Sequence, residues 1–271
     1  MIENHHPLHY DPNSEGNMKI LVSDWAELDQ VLPIAEKYKV GIEVLEFAIP
    51  ENLDPEPSLI SEIQQKVSAI PLLGLHGPFY ELIPASRDPL VRQTARTRYQ
   101  QGYDLAQMMG ARHLILHSGY LPKTFLRDQW IQNSVNYWVE FLDDKSTPNM
   151  IHVENVYEDD FTALGELIDR VNQAFQAERL TICLDIGHVN ANSSKTLSDW
   201  IIGLGDRIRY VHLHNNDGIL DDHWRLDKGK INVSQVLDLL VKHSPNAICT
   251  LETSIDDIEP SLQWLKERGY L

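Results

Sequence analysis

The chain has 271 residues, of which 42% are hydrophobic and 23% are charged, a composition typical of a soluble globular enzyme. It carries 40 acidic against 23 basic residues, and this net charge of −17 disfavours a surface that neutralises nucleic-acid phosphates. No stretch approaches the run of about 18 apolar residues that a membrane span requires. Residues 1–17 are polar and lack the apolar segment of a secretory signal, so we expect a cytoplasmic protein.

Short β-branched or aliphatic runs alternate with longer amphipathic stretches along the chain. Eight runs predict strands: 19–23 (KILVS), 41–47 (GIEVLEF), 71–76 (PLLGLH), 112–117 (RHLILH), 150–155 (MIHVEN), 180–185 (LTICLD), 207–214 (RIRYVHLH) and 247–252 (AICTLE). Between them, segments such as VSQVLDLLVKH place apolar residues three and four apart, which predicts helices. This alternation implies parallel strands with helical crossovers. Eight such units close into a single (β/α)8 barrel.

A doubly wound open sheet is the alternative fold, but no glycine-rich phosphate-binding fingerprint follows the first strand. We expect the barrel to occupy residues 18–271 and residues 1–17 to form an extension outside it. Cys183 and Cys249 lie in strand-like runs, which favours two buried free thiols. The sequence does not indicate an oligomeric state.

Residues that bind metals or catalyse proton transfer cluster at the carboxyl ends of the predicted strands, where the active site of such a barrel lies. In chain order they are His76, His117, Glu154, Asp185, His212 with His214, and Glu252, while His188, Asp221 and His223 lie in the loops that follow. Carboxylates gathered around one axis repel each other unless cations lie between them. Mixed imidazole and carboxylate ligands suit Zn, Mn, Fe or Co. We therefore expect a divalent-metal site.

The same segments carry a family resemblance. In order they read GIEVLEF, LHGPF, LHSGY, VEN, LDIGH, VHLHNNDG, DDH followed by KGKIN, and LET. The set resembles the xylose isomerase-like barrel superfamily, which includes endonuclease IV, sugar-phosphate isomerases and ketose 3-epimerases. The resemblance implies four core metal ligands, Glu154, Asp185, His212 and Glu252. It also implies the additional ligands of the endonuclease IV branch, His76, His117, Asp221 and His223, and therefore one to three bound ions.

Three assignments stay open within this resemblance. His188 matches a position that holds either a further ligand or a substrate-contacting histidine. The seventh strand offers His212 or His214 as its ligand, because both face the same side by the two-residue strand period. Asp221 is preferred over Asp222, since the family pattern is Asp-x-His.

Two reactions compete for this site. The resemblance implies an isomerase or epimerase that acts on a small sugar, polyol or sugar phosphate through a metal-stabilised enediolate. Glu154 and Glu252 would then exchange the proton at carbon, and His188 would hold a substrate hydroxyl. The alternative is an endonuclease IV-like zinc phosphodiesterase, which the ligand set supports and the acidic charge opposes. A non-catalytic metal-binding barrel is the third possibility.

Two further residues are candidates for the substrate pocket. Glu43, on the second strand, is expected to reach the pocket or to form a salt bridge within the barrel. Trp224 is expected to wall the pocket against water or to pack as an ordinary aromatic side chain. On the charge argument, the expected partner is a small carbohydrate, without nucleic acid or membrane.

Overall fold

The structure is a computed structural model that describes residues 18–24, 28–54, 57–145 and 150–271. The predicted N-terminal extension, residues 1–17, lies outside this part of the chain. The described strands are β1 Lys19–Ser23, β2 Gly41–Val44, β3 Leu73–His76, β4 His113–His117, β5 Met150–Glu154, β6 Leu180–Asp185, β7 Ile208–Leu213 and β8 Ile248–Leu251. Each strand pairs in parallel with the next, and β8 pairs in parallel with β1. The predicted eight-stranded barrel is confirmed.

Helices follow the strands and form the outer layer. Those that the structure describes are α1 Leu28–Tyr38, α2 Pro57–Val67, α3 Pro89–Met109, α4 Arg127–Leu142, α5 Thr162–Phe175, α6 Ile186–Asn192, α7 Leu197–Leu204, α8 Val233–His243 and α9 Ile255–Glu267. In the described ranges, no helix combines the length and the hydropathy that a membrane span needs.

The second strand is shorter than its sequence predicts. The apolar run continues to residue 47, yet β2 ends at Val44 and a 3-10 helix follows at Glu46–Ala48. The carboxylate of Asp24, just after β1, accepts a hydrogen bond of 2.5 Å from the backbone N–H of Leu45. β2 pairs with β1 as far as Glu43 and with β3 as far as Val44, and the chain then turns into the 3-10 helix.

Alternation along the strands separates an outer core from the barrel interior. Residues such as Leu114, Val153 and Val211 pack in the large apolar cluster with the helices. A second, small cluster fills the interior and consists of Leu21, Ile115, Cys183, Tyr210 and Ile248. Both cysteines are buried free thiols, as predicted. The inward positions that follow the small cluster along the strands are polar and supply the candidate site.

Candidate metal centre

The period of two places one ligand-type side chain from each of six neighbouring strands at the same end of the barrel. In β4 and β5, His117 pairs in register with Glu154, and in β6 and β7, Asp185 pairs with His212. The inward neighbours one step earlier are Ile115 and Cys183 of the interior cluster. Because parallel strands share one carboxyl edge, these side chains meet above that cluster.

Glu154 contacts the histidines of two neighbouring strands, His76 and His117. Its side chain is 1% exposed, and its Oε2 lies 3.3 Å from Nε2 of both His76 and His117. This buried Oε2 has no hydrogen-bond partner among the described residues. Ligands that bind zinc at about 2.0–2.1 Å in a tetrahedron lie about 3.3–3.4 Å from one another. The spacing and the unpartnered oxygen therefore fit a divalent cation between these three side chains.

Three carboxylates converge on one nitrogen of His212. Its Nδ1 lies 3.2 Å from Oε1 of Glu154, 3.4 Å from Oε2 of Glu252 and 3.7 Å from Oδ2 of Asp185. All four side chains are at most 4% exposed. Three buried carboxylates that lie this close to one nitrogen repel each other unless positive charge lies between them. Among the described residues, the ion pairs of these three carboxylates involve only imidazoles. This set is the second group that fits a cation.

A third group lies nearer the mouth of the barrel. Oδ2 of Asp221 lies 3.1 Å from Nε2 of His188 and 2.9 Å from Nε2 of His223. The side chains of Asp221 and His223 are 33% and 20% exposed, so this group faces the opening. His214, which is fully buried, places its Nε2 3.5 Å from the other oxygen of Asp221.

Hydrogen bonds to the backbone position the loop residues of the third group, His188, Asp221 and His223. Asp185 caps the N-terminus of α6, because its carboxylate accepts the backbone N–H of His188 at 2.6 Å. The loop after β7 is held by Asn215, whose amide donates to the carbonyl oxygens of Leu226 and Ile231. These bonds close the segment from Asn215 to Leu226 into a loop, and Asp221 and His223 lie within that loop, with Asp221 in contact with His188 and His214.

Three histidines of the centre each make a hydrogen bond to a backbone carbonyl, and this bond orients the ring. The Nδ1 atoms of His76, His188 and His223 lie 2.9, 2.8 and 2.9 Å from the backbone carbonyl oxygens of Gly77, Asn155 and Glu252. A carbonyl only accepts, so each Nδ1 carries the proton and each Nε2 faces a carboxylate. Metal-binding histidines typically show this arrangement, in which the second nitrogen fixes the tautomer and the ring orientation.

Burial and close pairing with oppositely charged side chains shift the pKa values of the residues in the centre. Burial raises the pKa of Glu154, but His212 and His117 outweigh it and hold that pKa well below its ordinary value. Burial lowers the pKa of His188, yet Asp185, Asp221 and Glu154 reverse the effect and hold the pKa well above its usual range. In contrast, burial raises the pKa of Glu252, and His212 and His223 offset this only in part. The two glutamates therefore differ in their affinity for a proton.

The structure brings all ten predicted metal-site residues together at one end of the barrel. His212 contacts the three core carboxylates, whereas His214 contacts Asp185 at 3.1 Å and stacks on His223 with ring centroids 4.0 Å apart. Asp221 contacts the histidines, and Asp222 is exposed. The assignment of each as a ligand stays a prediction.

The two predicted pocket residues occupy different places. Glu43 is fully buried beneath His212 and has no exposed surface, so the salt-bridge alternative describes its surroundings better than direct substrate contact. Trp224 pairs through its backbone with Asn215, and its side chain is partly exposed. A contact between Trp224 and substrate stays a prediction.

Two further buried carboxyl groups lie at the same end of the barrel and did not stand out in the sequence. Glu158 accepts hydrogen bonds from the hydroxyl of Ser118 and the N–H of Val156, and burial raises its pKa. Burial raises the pKa of Asp24 to about 7, although the N–H of Leu45 opposes this. Both follow strand ends, Glu158 four residues after Glu154 and Asp24 directly after β1, which was the available signal.

Residues 34–268 match the family described as xylose isomerase-like TIM barrel. The chain belongs to this family. Curated relatives of this xylose isomerase-like barrel include an uncharacterised protein of Methanocaldococcus jannaschii, MJ1311, at 25% identity over 71% of this chain and 68% of that protein. Another is a probable endonuclease 4 of Mycobacterium leprae, at 25% identity over 87% of this chain and 94% of the relative.

Solved structures show the same fold. The TTHB071 protein from Thermus thermophilus, soaked with ZnCl2, has a TM-score of 0.73 at 24% identity and covers 92% of this chain and 97% of that one. A D-psicose 3-epimerase from Clostridium cellulolyticum, solved with D-tagatose, has a TM-score of 0.73 at 13% identity and covers 93% and 99%. The family thus has sugar epimerases as structural neighbours and endonuclease 4 proteins as distant relatives.

Proposed function

We propose that this chain is a metal-dependent isomerase or epimerase of a small carbohydrate. The observation that carries the proposal is the pair Glu154 and Glu252. Both carboxylates lie within 3.4 Å of the same His212 nitrogen, and they come from strands three places apart in the barrel. Two carboxyl groups that approach one point from different strands suit the removal and return of a proton.

The donor set supports one to three divalent ions, of which zinc is the best match to the histidine-rich groups. His76, His117 and Glu154 would hold one ion, Glu154, Asp185, His212 and Glu252 a second, and His188, Asp221 and His223 a third. A bound cation would act as a Lewis acid towards a substrate carbonyl and hydroxyl.

The chain's own residues then supply the remaining chemistry. The ionised Glu154 accepts a proton from the carbon next to the carbonyl, and the Glu252 carboxyl group returns a proton from the other side. His188, held by the carbonyl of Asn155, orients its Nε2 towards the mouth and contacts a substrate hydroxyl when no third ion is present. Proton transfer at one carbon from opposite sides gives an epimer.

The charge of the site favours a small carbohydrate over a nucleic acid. Among the described residues, the ion pairs of the centre join histidines only to carboxylates, without a lysine or an arginine. Phosphate-rich substrates require such cations in the surrounding loops. The whole chain, at −17, adds to the repulsion.

The test of this function is solvent exchange at carbon. Purified protein loaded with Zn2+ or Mn2+ is incubated with a panel of ketoses in D2O, and deuterium incorporation is followed by NMR. We expect deuterium incorporation and epimerisation for at least one ketose, and we expect epimerisation to be lost in Glu252→Gln, in which Glu154 can still exchange the proton from its own side. A panel without exchange or epimerisation contradicts the proposal.

A second function has one specific observation in its favour. With His188 counted as a further ligand, all nine positions that resemble the endonuclease IV centre carry the expected residue types, and a probable endonuclease 4 matches 87% of the chain. Under this alternative the chain is a zinc phosphodiesterase. Cleavage of abasic-site DNA at physiological salt, without ketose exchange, would establish it in place of the epimerase.

A further inference from the structure

A buried acid lies directly beneath the candidate centre. Oε1 of Glu43 lies 3.3 Å from Nε2 of His212, and both side chains are fully buried. The other carboxylate oxygen, Oε2, accepts hydrogen bonds from the hydroxyls of Tyr210 at 2.5 Å and Thr250 at 2.8 Å. Two donors therefore fix one oxygen of Glu43, and the remaining oxygen faces the imidazole.

The barrel leaves room for this network at one glycine. A Cβ on Gly74 would lie 2.7 Å from the hydroxyl of Tyr210 and 3.5 Å from Cγ of Glu43. A side chain there would displace the hydroxyl that anchors Glu43. The arrangement of β2, β3 and β7 thus accommodates a buried carboxylate that two hydroxyls and one imidazole surround.

The position of the proton on His212 follows from its two faces. Nδ1 faces the carboxylates of Glu154, Asp185 and Glu252, the group that fits a cation. A nitrogen that binds a metal carries no proton, so the neutral ring must carry its proton on Nε2. That nitrogen lies 3.3 Å from Oε1 of Glu43, and neither atom has a hydrogen-bond partner among the described residues. A small rotation of the imidazole ring, with a shift of a few tenths of an ångström, aligns the N–H with Oε1 and gives an ordinary N–H···O bond.

We propose that Glu43 is a positioning residue, which accepts the Nε2–H of His212 and so directs Nδ1 at a bound cation. The inference rests on the metal centre of the proposed function. Three other histidines of the centre are oriented by neutral backbone carbonyls, whereas His212 is oriented by a carboxylate. A charged acceptor forms the stronger bond and makes the opposite ring nitrogen a better donor to metal.

The experiment measures Zn2+ affinity by competition with a chromophoric chelator, on metal-free protein. Glu43→Gln keeps the shape of the side chain and removes its charge. We expect the affinity to fall by about 10- to 100-fold, the usual effect of losing such an orienting partner. The visible absorption of the Co2+-loaded protein should change as well, because the ligand field of His212 changes.

Thr250→Val is the matched control. It removes one of the two hydroxyl donors to Glu43 but leaves the carboxylate, its charge and the Tyr210 hydrogen bond, so we expect a loss of Zn2+ affinity clearly smaller than that of Glu43→Gln. Circular dichroism checks that both variants are folded. A Glu43→Gln protein with wild-type Zn2+ affinity and an unchanged Co2+ spectrum overturns the inference.

A measurement on the wild type covers the case in which Glu43→Gln does not fold. A long-range 1H–15N correlation spectrum of the Zn2+-loaded protein reports which nitrogen of His212 carries the proton. The inference requires the proton on Nε2, and a proton on Nδ1 overturns it. Wild-type protein that binds no Zn2+ instead overturns the metal centre itself, so the two failures are distinguishable.

Discussion

The substitution Gly187→Ala tests whether His214, the residue after β7, packs behind the start of α6. A Cβ at this position would lie 1.9 Å from Cε1 of His214 and 2.5 Å from its Nε2, far inside van der Waals contact. The ring is fully buried and is held at 3.1 Å from both oxygens of Asp185, so it cannot move without breaking that pairing. Overpacking of this kind costs about 1–3 kcal/mol.

The expected size of the effect follows from two opposing contributions. The severe contact places the steric cost near ~3 kcal/mol, the upper end of its range. Replacing a helical glycine by alanine returns about 1 kcal/mol. The net loss of about 2 kcal/mol lowers the melting temperature by about 4–8 °C for a domain of this size. The loss should occur in the metal-free protein, because the clash does not involve a cation.

Gly165→Ala is the matched control. This glycine also lies in a helix, α5, but its added Cβ would meet only the end of the Leu204 side chain, at 3.3 Å. We expect a melting temperature within about 4 °C of the wild type. Differential scanning calorimetry of both variants without metal makes the comparison. Equal stability of Gly187→Ala and Gly165→Ala would refute the placement of His214.

Two further predictions concern the metal-free and metal-loaded centre. Burial lowers the pKa of His223, but Asp221 and Glu252 outweigh it and raise the pKa to about 9, so this imidazole is protonated at pH 7 without metal. Zn2+ binds only the neutral imidazole, so its binding at pH 7 should release protons, and its affinity should increase as the pH rises towards 9. Calorimetry in buffers of different ionisation enthalpy measures the released protons. A Zn2+ affinity that does not depend on pH contradicts this prediction. Asp221→Asn should weaken Zn2+ binding by about 10-fold or more, because Asp221 contacts His188 and His223. Asp222→Asn, at the exposed neighbouring residue, should not weaken it. Equal Zn2+ affinities of the two variants in chelator competition would contradict the assignment of Asp221 as a ligand.

The barrel was predictable because its signal is repeated eight times. Each strand alternates outward apolar residues with inward ones, and in the strands that end in His117, Glu154 and Asp185 the last inward residue is a ligand type. That regularity also placed the centre, since parallel strands share one edge. The strand ends were less predictable. The apolar run that begins in β2 continues past Val44, whereas pairing with the neighbouring strands stops at Val44 and the N–H of Leu45 donates to Asp24.

The environment of single residues was not predictable from spacing. His212 and His214 face the same side of β7, and only the packed structure separates the one among three carboxylates from the one against Asp185 and His223. Glu43 has the same inward register as residues of the site, but it lies one layer deeper, beneath His212. Depth in the barrel depends on the stagger between strands, which a single sequence does not report.

The content of divalent metal in the purified protein is the most direct test of the account. The protein is prepared without a histidine tag, dialysed against metal-free buffer and analysed by mass spectrometry of the elements, alongside Glu154→Gln. We predict one to three divalent ions per chain in the wild type, with at least one lost from Glu154→Gln, because Glu154 contacts His76, His117 and His212. A folded wild-type protein that retains no metal, even after incubation with Zn2+, would contradict the account.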